Sequence, residues 1–572
     1  MGGSGNTSKR LDRLADRLAV LSAQRARPAG GFVSQPEPRS IGLYTRGKQL
    51  LSGTILMAGH LAEAPGTLLW DIAAPAGFAS EAHGFAWLDD LAALGGKTAQ
   101  TRAQEWTWGW IDRYGRGKGP GWTPDLTGRR IIRWVHHATV LLQARDKAQS
   151  AAFYAALSRQ ATYLSKRWRS AAEGLPRFEA LTGLIYAGIS LIGMDRLLAP
   201  AIQALAAACD ADIDAEGGIP TRNPEELLEV LTLLTWSASA MSEASLNVPP
   251  AVSAAITRIA PALRALRHAD GELARFHGGG RAAEGRLDQA LASAGVRAGA
   301  TPSIAMGFAR LSGGRTSVIV DAAAPPAGSA ARTAHASTTA FELTSGRRPM
   351  VVNCGSGLAF GDEWRQAARA TPSHSALGME GVSSSRIGRS GEQLEHRAQV
   401  TASRLTVGTE GADLFLSHDG YLASHGLTTS RSLTLAHDGR RLSGVDALTA
   451  MTAEAQRRFE DAMTQTAMAG ARFSIRFHLH PEADATLDMG GGAVSIALKS
   501  GEIWIFRFTG AAELGLEPSA YLENGRVSPR PCSQIVLRGE ARGFETRIGW
   551  TLAKAKDTPL AIRDLGDIET DP

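Results

Sequence analysis

The sequence lacks the features that mark disulfide-rich, zinc-knuckle or membrane-spanning proteins. Its three cysteines are odd in number and far apart, which excludes a disulfide framework and the close spacing of a zinc knuckle. No run reaches the ~18 apolar residues that a membrane-spanning helix needs. The N-terminal segment lacks the continuous apolar core of a secretory signal, so we expect no membrane insertion. The expected location is cytoplasmic, or periplasmic if the chain is exported by another route.

An excess of one charge and the common catalytic motifs are also missing. The 61 basic and 56 acidic side chains give a net charge of +5, without the concentrated basic stripe of a nucleic-acid-binding protein. We therefore expect no nucleic acid partner, whereas an anionic ligand in a locally basic cleft is compatible with this balance. The absence of a G-x-S-x-G turn and of a Walker loop argues against Ser-His-Asp hydrolysis and nucleotide binding.

What is present changes character near residue 275. Before it, apolar residues recur at the i, i+3, i+4 and i+7 spacing of amphipathic helices, as in residues 81–94, 131–148, 151–168, 178–193 and 224–241. Asn223, followed by Pro224 and two glutamates, predicts a capped helix start. Such helices could form a bundle, a solenoid or an α/α toroid, and periodicity alone does not choose among them.

After residue 300 the period becomes two. Residues 303–322 and 492–508 predict hairpins, and further strands are predicted at 338–353, 395–407, 428–437, 472–480 and 533–539. Many short strands at close spacing are typical of an antiparallel β-sandwich. A chain of 572 residues is long enough for two domains of this kind.

Eight of the 12 tryptophans lie between Trp70 and Trp168, next to several arginines. Indole faces can stack on sugar rings, and guanidinium groups can pair with carboxylate or sulfate groups. This pattern nominates Trp122 and Arg130 as substrate-binding residues. The alternative is that the tryptophans pack helix against helix, because large aromatic side chains dominate cores.

The second half is rich in histidine. The segment HDGYLASH at 418–425, with Arg431 shortly after it, nominates His418, Tyr421 and Arg431 as site residues, unless the segment is only a loop that turns at Asp419-Gly420. Zinc and similar divalent ions take nitrogen and oxygen ligands from neighbouring strands. The candidate ligands of such an ion are His335, Asn353 and His374.

Three segments resemble the heparinase II/III family. They are AHASTTAFELTSGRRPMVVNCGSG…EWRQAARATPSHSALGMEG within residues 334–381, HDGY at 418–421 and GGIPTRNP at 217–224. The resemblance implies an incomplete N-terminal α/α toroid followed by an antiparallel β-sandwich. The implied divisions are an N-terminal helix and linker over residues 1–40, the toroid over 41–275, a connector over 276–300 and the sandwich over 301–572.

The resemblance also implies cleavage of a uronate-containing polysaccharide by β-elimination in the cleft between toroid and sandwich. A cationic group neutralises the uronate carboxylate, a base removes the C5 proton, and an acid protonates the leaving oxygen. We expect a site that requires no cofactor, and the divalent metal considered above, such as zinc, is an optional ligand. The groups nominated to bind the carboxylate are Arg177, Arg222 and Asn223, those nominated to move protons are Tyr421, Tyr186 and His374, and His335 is expected to orient sugar or to bind metal.

Three positions depart from the family pattern. Thr333 stands where the family has a first histidine, Leu175 or Pro176 where it has asparagine, and Glu226 where it has tyrosine. The expected function is a polysaccharide lyase, and the alternative is a catalytically altered glycan-binding protein. Hydrolysis by paired carboxylates, such as Glu179 with Glu225 or Glu226, is a third option. The expected partner is an acidic polysaccharide or oligosaccharide, and a homodimer is compatible with the sequence.

Overall fold

The computed structural model describes residues 4–556, except for residues 300, 302, 389–391 and 466–469. Within this part, helices fill the first half and strands the second, as the change of period near residue 275 predicted. None of the described helices is both long enough and apolar enough to cross a bilayer.

The helical half is a series of α-helices that pack on neighbours along the chain. Among them α6 packs against α9, α9 against α10 and α11, and α11 against α12. A two-stranded hairpin lies between the second and third helices. The bounds are α1 (Ser4–Gln24), α2 (Tyr44–Ser52), β1 (Thr54–Met57), β2 (His60–Glu63), α3 (Ala76–Gly84), α4 (Trp87–Leu94), α5 (Gly96–Tyr114), α6 (Pro124–His136), α7 (Ala138–Leu142), α8 (Lys147–Arg167), α9 (Leu175–Ser190), α10 (Leu198–Asp212), α11 (Pro224–Glu243), α12 (Pro250–Ala265) and α13 (Arg286–Ser293).

The predicted helix starts and stops follow local chemistry. Asn223 caps α11, since its Oδ1 accepts hydrogen bonds from the backbone N–H groups of Glu225 and Glu226 at 3.0 and 3.2 Å. This confirms the start expected from Asn-Pro-Glu-Glu. The segment predicted as one helix over 81–94 is instead divided between α3 and α4, because Phe85 adopts a left-handed conformation with a φ of 63°.

The second half is built from antiparallel strands with three short helices. Most predicted strands are present, and the two predicted hairpins correspond to β4–β5 and β17–β18. The bounds are β3 (Ile304–Ala305), β4 (Phe308–Gly313), β5 (Thr316–Asp321), β6 (Phe341–Ser345), β7 (Arg348–Val352), α14 (Asp362–Arg369), β8 (Leu377–Met379), β9 (Arg386–Ile387), β10 (Leu394–His396), β11 (Val400–Val407), β12 (Gly411–Tyr421), α15 (Leu422–His425), β13 (Leu427–Ala436), β14 (Arg441–Thr449), α16 (Ala453–Gln465), β15 (Ala471–Leu479), β16 (Ala483–Asp488), β17 (Ala493–Leu498), β18 (Ile503–Thr509), β19 (Glu513–Tyr521), β20 (Arg530–Ala541) and β21 (Glu545–Lys554).

These strands form two large sheets that face each other. One sheet has the order β11-β12-β13-β14-β21-β18-β17-β16, and the other has the order β19-β20-β15-β7-β6-β5-β4-β3, with β8 paired to β15. Aromatic rings fill the space between them; Phe341 stacks on Trp550 with ring centroids 5.7 Å apart, and Phe477 meets the same indole edge-on at 4.8 Å. This packing is the antiparallel sandwich that the period of two predicted.

The two halves share part of one hydrophobic core. Met306, Phe308 and Ile319 belong to strands or loops of the sandwich but pack in the same buried cluster as the toroid helices. Leu287 and Leu291 of α13 join that cluster as well, so the region expected as a connector contributes to the helical core. The junction is therefore a packed interface.

Arg431 lies in the interior of the sandwich and not on a ligand-facing surface. Its guanidinium makes two hydrogen bonds to Asp446, at 2.7 and 3.0 Å, and donates to the backbone oxygens of Thr339 and Ser375. Asp446 also accepts a hydrogen bond from the Trp550 indole at 2.8 Å. The nomination of Arg431 as a substrate contact is corrected by this placement, because none of its side chain is exposed.

We expect Arg431→Ala to destabilise the sandwich by roughly 3–5 kcal/mol, because it leaves the buried Asp446 carboxylate without its cation. Urea unfolding followed by tryptophan fluorescence would measure the loss. The matched control is Arg404→Ala on the exposed face of β11, for which we expect a change within about 0.5 kcal/mol. Equal unfolding midpoints for the two variants would contradict this account.

Candidate functional site

A chain of polar side chains crosses the junction between toroid and sandwich. Asp321 at the end of β5 is its centre: it accepts hydrogen bonds from Arg222 Nη2 at 2.6 Å and from Ser337 Oγ at 2.7 Å, and His277 Nε2 lies 3.5 Å away. Burial alone would raise the pKa of Asp321, but Arg222 and the hydrogen bonds from His277 and Ser337 outweigh it and hold that pKa far below its usual value. The carboxylate is therefore ionised and fixed.

Arg222 uses its whole guanidinium to hold the sandwich. Besides the bond to Asp321, Nε donates to Met306 O and Nη2 to Gly307 O, both at 2.9 Å. Nη1 donates to Ala324 O at 2.9 Å, with Ala323 O at 3.5 Å. All five N–H groups of Arg222 point at protein oxygens. Arg222 therefore connects the toroid to the sandwich and is not the carboxylate-binding group that its sequence position suggested.

Two histidines of the sandwich form a hydrogen-bonded pair next to this chain. His374 Nδ1 donates to Ala370 O at 2.9 Å, which leaves the lone pair of the neutral ring on Nε2. His335 Nδ1 lies 3.1 Å from that atom and is therefore the donor. The backbone N–H of His335 donates to His277 Nδ1 at 3.2 Å, which links the pair to Asp321.

The tautomers assigned by these bonds decide what His335 can do. Its Nδ1 carries the proton, so its Nε2 carries the lone pair and is available as a hydrogen-bond acceptor or a proton acceptor. Burial and the neighbouring His374 hold the pKa of His335 well below its usual value. Burial likewise lowers the pKa of His374 to about 3. Both rings are therefore neutral near pH 7.

Arg369, in the last turn of α14, is a site residue that the sequence analysis did not nominate. It is 2 % exposed, and it donates from Nε to Ala334 O and from Nη2 to Ala331 O, both at 2.9 Å. Its Nη1 is buried and has no hydrogen-bond partner within the described residues. Burial lowers the pKa of Arg369 to about 10, and its charge contributes to the lowered pKa of His335. The sequence contained one signal for this site residue: a cation in the last turn of a helix within segment 334–381, which resembles the family.

The segment 277–280 occupies the space between the toroid and these histidines. A β-carbon added to Gly279 would lie 2.3 Å from Asn223 Oδ1, and one added to Gly278 would lie 3.6 Å from Thr333 O. The N–H of Gly280 donates to Glu225 Oε2 at 2.7 Å. The glycine backbone therefore contacts both walls of the junction, and at Gly279 it lies too close to Asn223 for a side chain to fit.

Known proteins that resemble the chain agree with this architecture. Residues 299–551 match the family model described as Heparinase II/III-like, C-terminal. The chain is 31% identical to FtsZ-localized protein C of Caulobacter vibrioides over 546 residues. The aligned region covers 93% of this chain and 91% of that protein. The chain belongs to the heparinase II/III-like family.

Solved structures share the fold over nearly the whole chain. A crystal structure of heparinase III matches with a TM-score of 0.70 at 13% identity, covering 95% of this chain and 89% of the other. A heparan sulfate lyase of Pedobacter heparinus matches with a TM-score of 0.55 at 14% identity, covering 97% and 91%. At these identities the likeness concerns the fold alone, and it confirms the predicted toroid-then-sandwich order of this heparinase II/III-like protein.

Two nominated residues lie inside the helical core of this heparinase II/III-like chain. Trp122 stacks on Trp110, and its indole N–H donates to Tyr114 O at 2.8 Å. Arg130 has no exposed surface; its Nε donates to Gln160 Oε1 at 2.6 Å, and burial lowers its pKa to about 9. At Trp122 and Arg130 the band is therefore core packing, which was the alternative interpretation, and Trp122 offers no indole face to a sugar.

Two nominated residues of the HDGY segment are buried in the sandwich. Tyr421 is fully buried, its hydroxyl lies 3.5 Å from Leu377 O, and burial raises its pKa to about 12. His418 is also fully buried; its Nδ1 accepts from Gly420 N–H at 3.1 Å, and burial lowers its pKa to about 4. Neither side chain reaches the junction, because inward-facing positions of β12 belong to the core.

Arg177 and the candidate carboxylates of the toroid lie near the starts of α9 and α11. Arg177 is half-buried at the start of α9 and donates to Ala171 O at 3.3 Å. Glu179, two residues further, pairs with Arg129 Nε at 2.5 Å, and burial raises its pKa to about 7. Glu226 accepts a hydrogen bond from Thr221, so each candidate carboxylate for hydrolysis, including Glu225, already has a partner within the protein.

The side chains expected to bind a metal do not form a ligand set. Both ring nitrogens of His374 are hydrogen-bonded, and Asn353 Oδ1 accepts from Ser375 N–H at 3.0 Å. Among the residues that the structure describes, no three His, Cys, Asp or Glu side chains are arranged to hold a metal ion. His335 Nε2 alone would remain as a donor to a cation, so these residues do not fit the predicted zinc site.

We expect acid to destabilise the wild type more steeply than His374→Gln. The folded-state pKa of His374, about 3, lies below the usual value of 6.5, so the unfolded state binds the extra proton between these values. The contribution to stability is complete above pH 6.5 and falls as the pH decreases toward 3, by up to ~1.4 kcal/mol per pH unit. Unfolding midpoints measured between pH 7 and pH 4 would check this, and identical slopes would contradict it.

The contact of segment 277–280 with the α11 cap generates another prediction. Gly279→Ala should lower stability by about 1 kcal/mol, because its β-carbon displaces the Asn223 cap. The control is Gly543→Ala, where an added β-carbon meets no atom within 4 Å. Differential scanning calorimetry would compare the two, and an unchanged midpoint for Gly279→Ala would show that the segment does not press on the cap.

Proposed function

We propose that this heparinase II/III-like protein binds an acidic glycan on a lyase scaffold without cleaving it. The observation that carries this proposal is that the groups nominated for β-elimination are committed to hydrogen bonds or core packing within the protein. The scaffold itself supports a polysaccharide ligand, since it is that of polysaccharide lyases such as heparinase III. Fold alone does not supply the chemistry, which depends on the side chains at the site.

Most of the groups nominated for β-elimination are not free to perform it. Arg222 has no N–H left for a uronate carboxylate. Tyr421 is buried away from the junction with a raised pKa, so it is suited neither to abstract nor to deliver a proton. His335 Nε2 is an acceptor, but His374, its partner, has both nitrogens engaged. A base without a companion acid supports binding better than cleavage.

Arg369 and His335 give the junction its capacity for binding. The unpartnered Nη1 of Arg369 is a charged donor suited to a carboxylate or sulfate oxygen, and His335 Nε2 is suited to accept from a sugar hydroxyl. A buried donor without a partner is costly, and a ligand oxygen would remove that cost. These two groups are the ones we infer to contact the glycan at the junction.

A second candidate function follows from the relative named FtsZ-localized protein C. Identity of 31% over nearly the full length of both chains supports the inference that this protein also localises with FtsZ. Sedimentation of FtsZ polymers with the purified full chain would test it. We expect the chain to enter the pellet only when FtsZ polymers are present, and an unchanged supernatant fraction would refute this association.

Binding and cleavage of glycan are separated by one experiment on the wild type. The protein is incubated with heparan sulfate, hyaluronan and polygalacturonate, while ultraviolet absorbance of the unsaturated product and retardation in affinity electrophoresis are followed. We expect retardation by at least one acidic polymer and no rise in absorbance. Arg369→Ala should reduce the retardation tenfold or more, since a hydrogen bond to a charged group contributes about 1.5–3 kcal/mol.

The outcome that overturns this proposal is a rise in absorbance with any polymer. If that rise is abolished in His335→Ala, the protein is a lyase that uses His335 as its base. A heparinase II/III-family lyase with known activity serves as the positive control for detection. Absence of both retardation and absorbance on all acidic polymers would remove glycan from the function altogether.

A further inference from the structure

A polar cavity lies in the sandwich, lined by residues apart from the histidine pair. Its volume is about 420 Å³, within the ~300–1,000 Å³ of small-molecule sites. Arginines from three elements line it: Arg386 on β9, Arg397 just after β10 and Arg458 on α16. His396 and Gln399 complete its donor side. No step of the reaction considered above uses this cavity.

The wall of the cavity is held in place by hydrogen bonds between its own strands. Gln399 N–H donates to Asp419 Oδ1 at 2.7 Å, and Asp419 N–H donates back to Gln399 O at 3.1 Å. Arg397 Nη1 donates to Pro325 O at 2.9 Å. Arg458 is oriented by Glu454, one helical turn earlier, at 3.0 Å. Because Gln399, Asp419 and Arg397 make these contacts before a ligand arrives, the ordering cost of binding is lowered at these residues.

The lining combines cations with hydrogen-bond acceptors. The three guanidinium groups face a shared space with the carboxylates of Glu395 and Asp419 and with Ser384. A simple anion such as phosphate uses the cations but is repelled by the carboxylates. An acidic sugar uses both, since its carboxylate pairs with guanidinium and its hydroxyl groups donate to carboxylate oxygens. The mixture therefore favours a uronate-type sugar over an inorganic ion or a phosphorylated headgroup.

The cavity is connected to the junction through the backbone. Arg397 binds Pro325 O, and the preceding residue, Ala324, accepts a hydrogen bond from Arg222 Nη1. Arg332, three residues before His335, lies 3.9 Å from Glu392, which precedes β10. The segment between Ala324 and His335 thus runs from the rim of the cavity to the histidine pair, with exposed residues at 327–329 and 332–333.

We propose that this cavity is a second subsite that holds an acidic sugar residue of the glycan, with Arg386, Arg397 and Arg458 on its carboxylate and Asp419 and Glu395 on its hydroxyl groups. The subsite rests on the proposed glycan-binding function, which it deepens by naming a uronate residue as the unit recognised away from the junction. Its anchoring residues come from β9, β10 and α16, none of which contributes to the histidine pair.

The test measures binding of a galacturonate disaccharide to the full chain by isothermal titration calorimetry. The variant is Arg386→Ala/Arg458→Ala, which removes two exposed guanidinium groups from the cavity. The matched control is Arg404→Ala/Arg457→Ala, which removes one exposed strand arginine and the exposed α16 arginine next to Arg458. We expect affinity to fall tenfold or more in the first variant and less than twofold in the second. Inorganic phosphate and a neutral disaccharide should each bind the wild type at least tenfold more weakly.

The outcomes separate the subsite from the function on which it rests. If the wild type binds the disaccharide and Arg386→Ala/Arg458→Ala binds it equally well, the subsite is wrong and the glycan-binding function stands. If phosphate binds as tightly as the disaccharide, the cavity is an anion site and its assignment to a sugar fails. If no acidic glycan of any length binds the wild type, both the subsite and the proposed function fail.

Discussion

The buried ion pair between Arg222 and Asp321 is the constraint on which the rest of the junction depends. Two charges removed from water are costly unless their remaining hydrogen-bonding groups are satisfied. Here Arg222 donates to four backbone oxygens besides Asp321, and Asp321 accepts from Ser337 as well. The pair fixes the start of α11 against the end of β5, and through His277 it fixes the position of His335. Toroid and sandwich thus meet in one geometry, and the histidine pair is held within it.

The hydrogen bonds that these side chains make within the protein also limit the chemistry of the junction. A guanidinium that holds five protein oxygens cannot also bind a substrate carboxylate, and a histidine with both nitrogens engaged cannot move protons without breaking a contact. Two groups remain available to a ligand: the lone pair on His335 Nε2 and the buried N–H groups of Arg369 Nη1. Groups of this kind recognise a ligand more readily than they transform it. The lyase scaffold and a binding function are therefore compatible within one structure.

Local pattern predicted the fold well because secondary structure depends on spacing. The helical period before residue 275 and the period of two after residue 300 correspond to toroid and sandwich, and Asn223-Pro224 correctly marked a helix start. Residue type predicted the site less well. Trp122, Arg130, Tyr421 and Arg431 have the side chains that a glycan site needs, yet each is used in a core, because a sequence does not record which partner satisfies a polar group. Arg369 was overlooked for the same reason, since nothing adjacent to it in sequence indicates that one of its N–H groups lacks an acceptor.

The sequence by itself determined the order of the helical and strand halves, the start of α11 and the segment that carries His335 and His374. Only the tertiary structure decided that these two rings pair with each other, that His335 keeps its lone pair on Nε2, and that Arg222 holds the two halves together. It also brought together Arg386, Arg397 and Arg458, which are up to 72 residues apart in the chain, around one cavity. The physical reason is that periodicity arises from neighbours along the backbone, whereas hydrogen-bond partners and burial arise from contacts between residues distant in sequence, which exist only once the chain has folded.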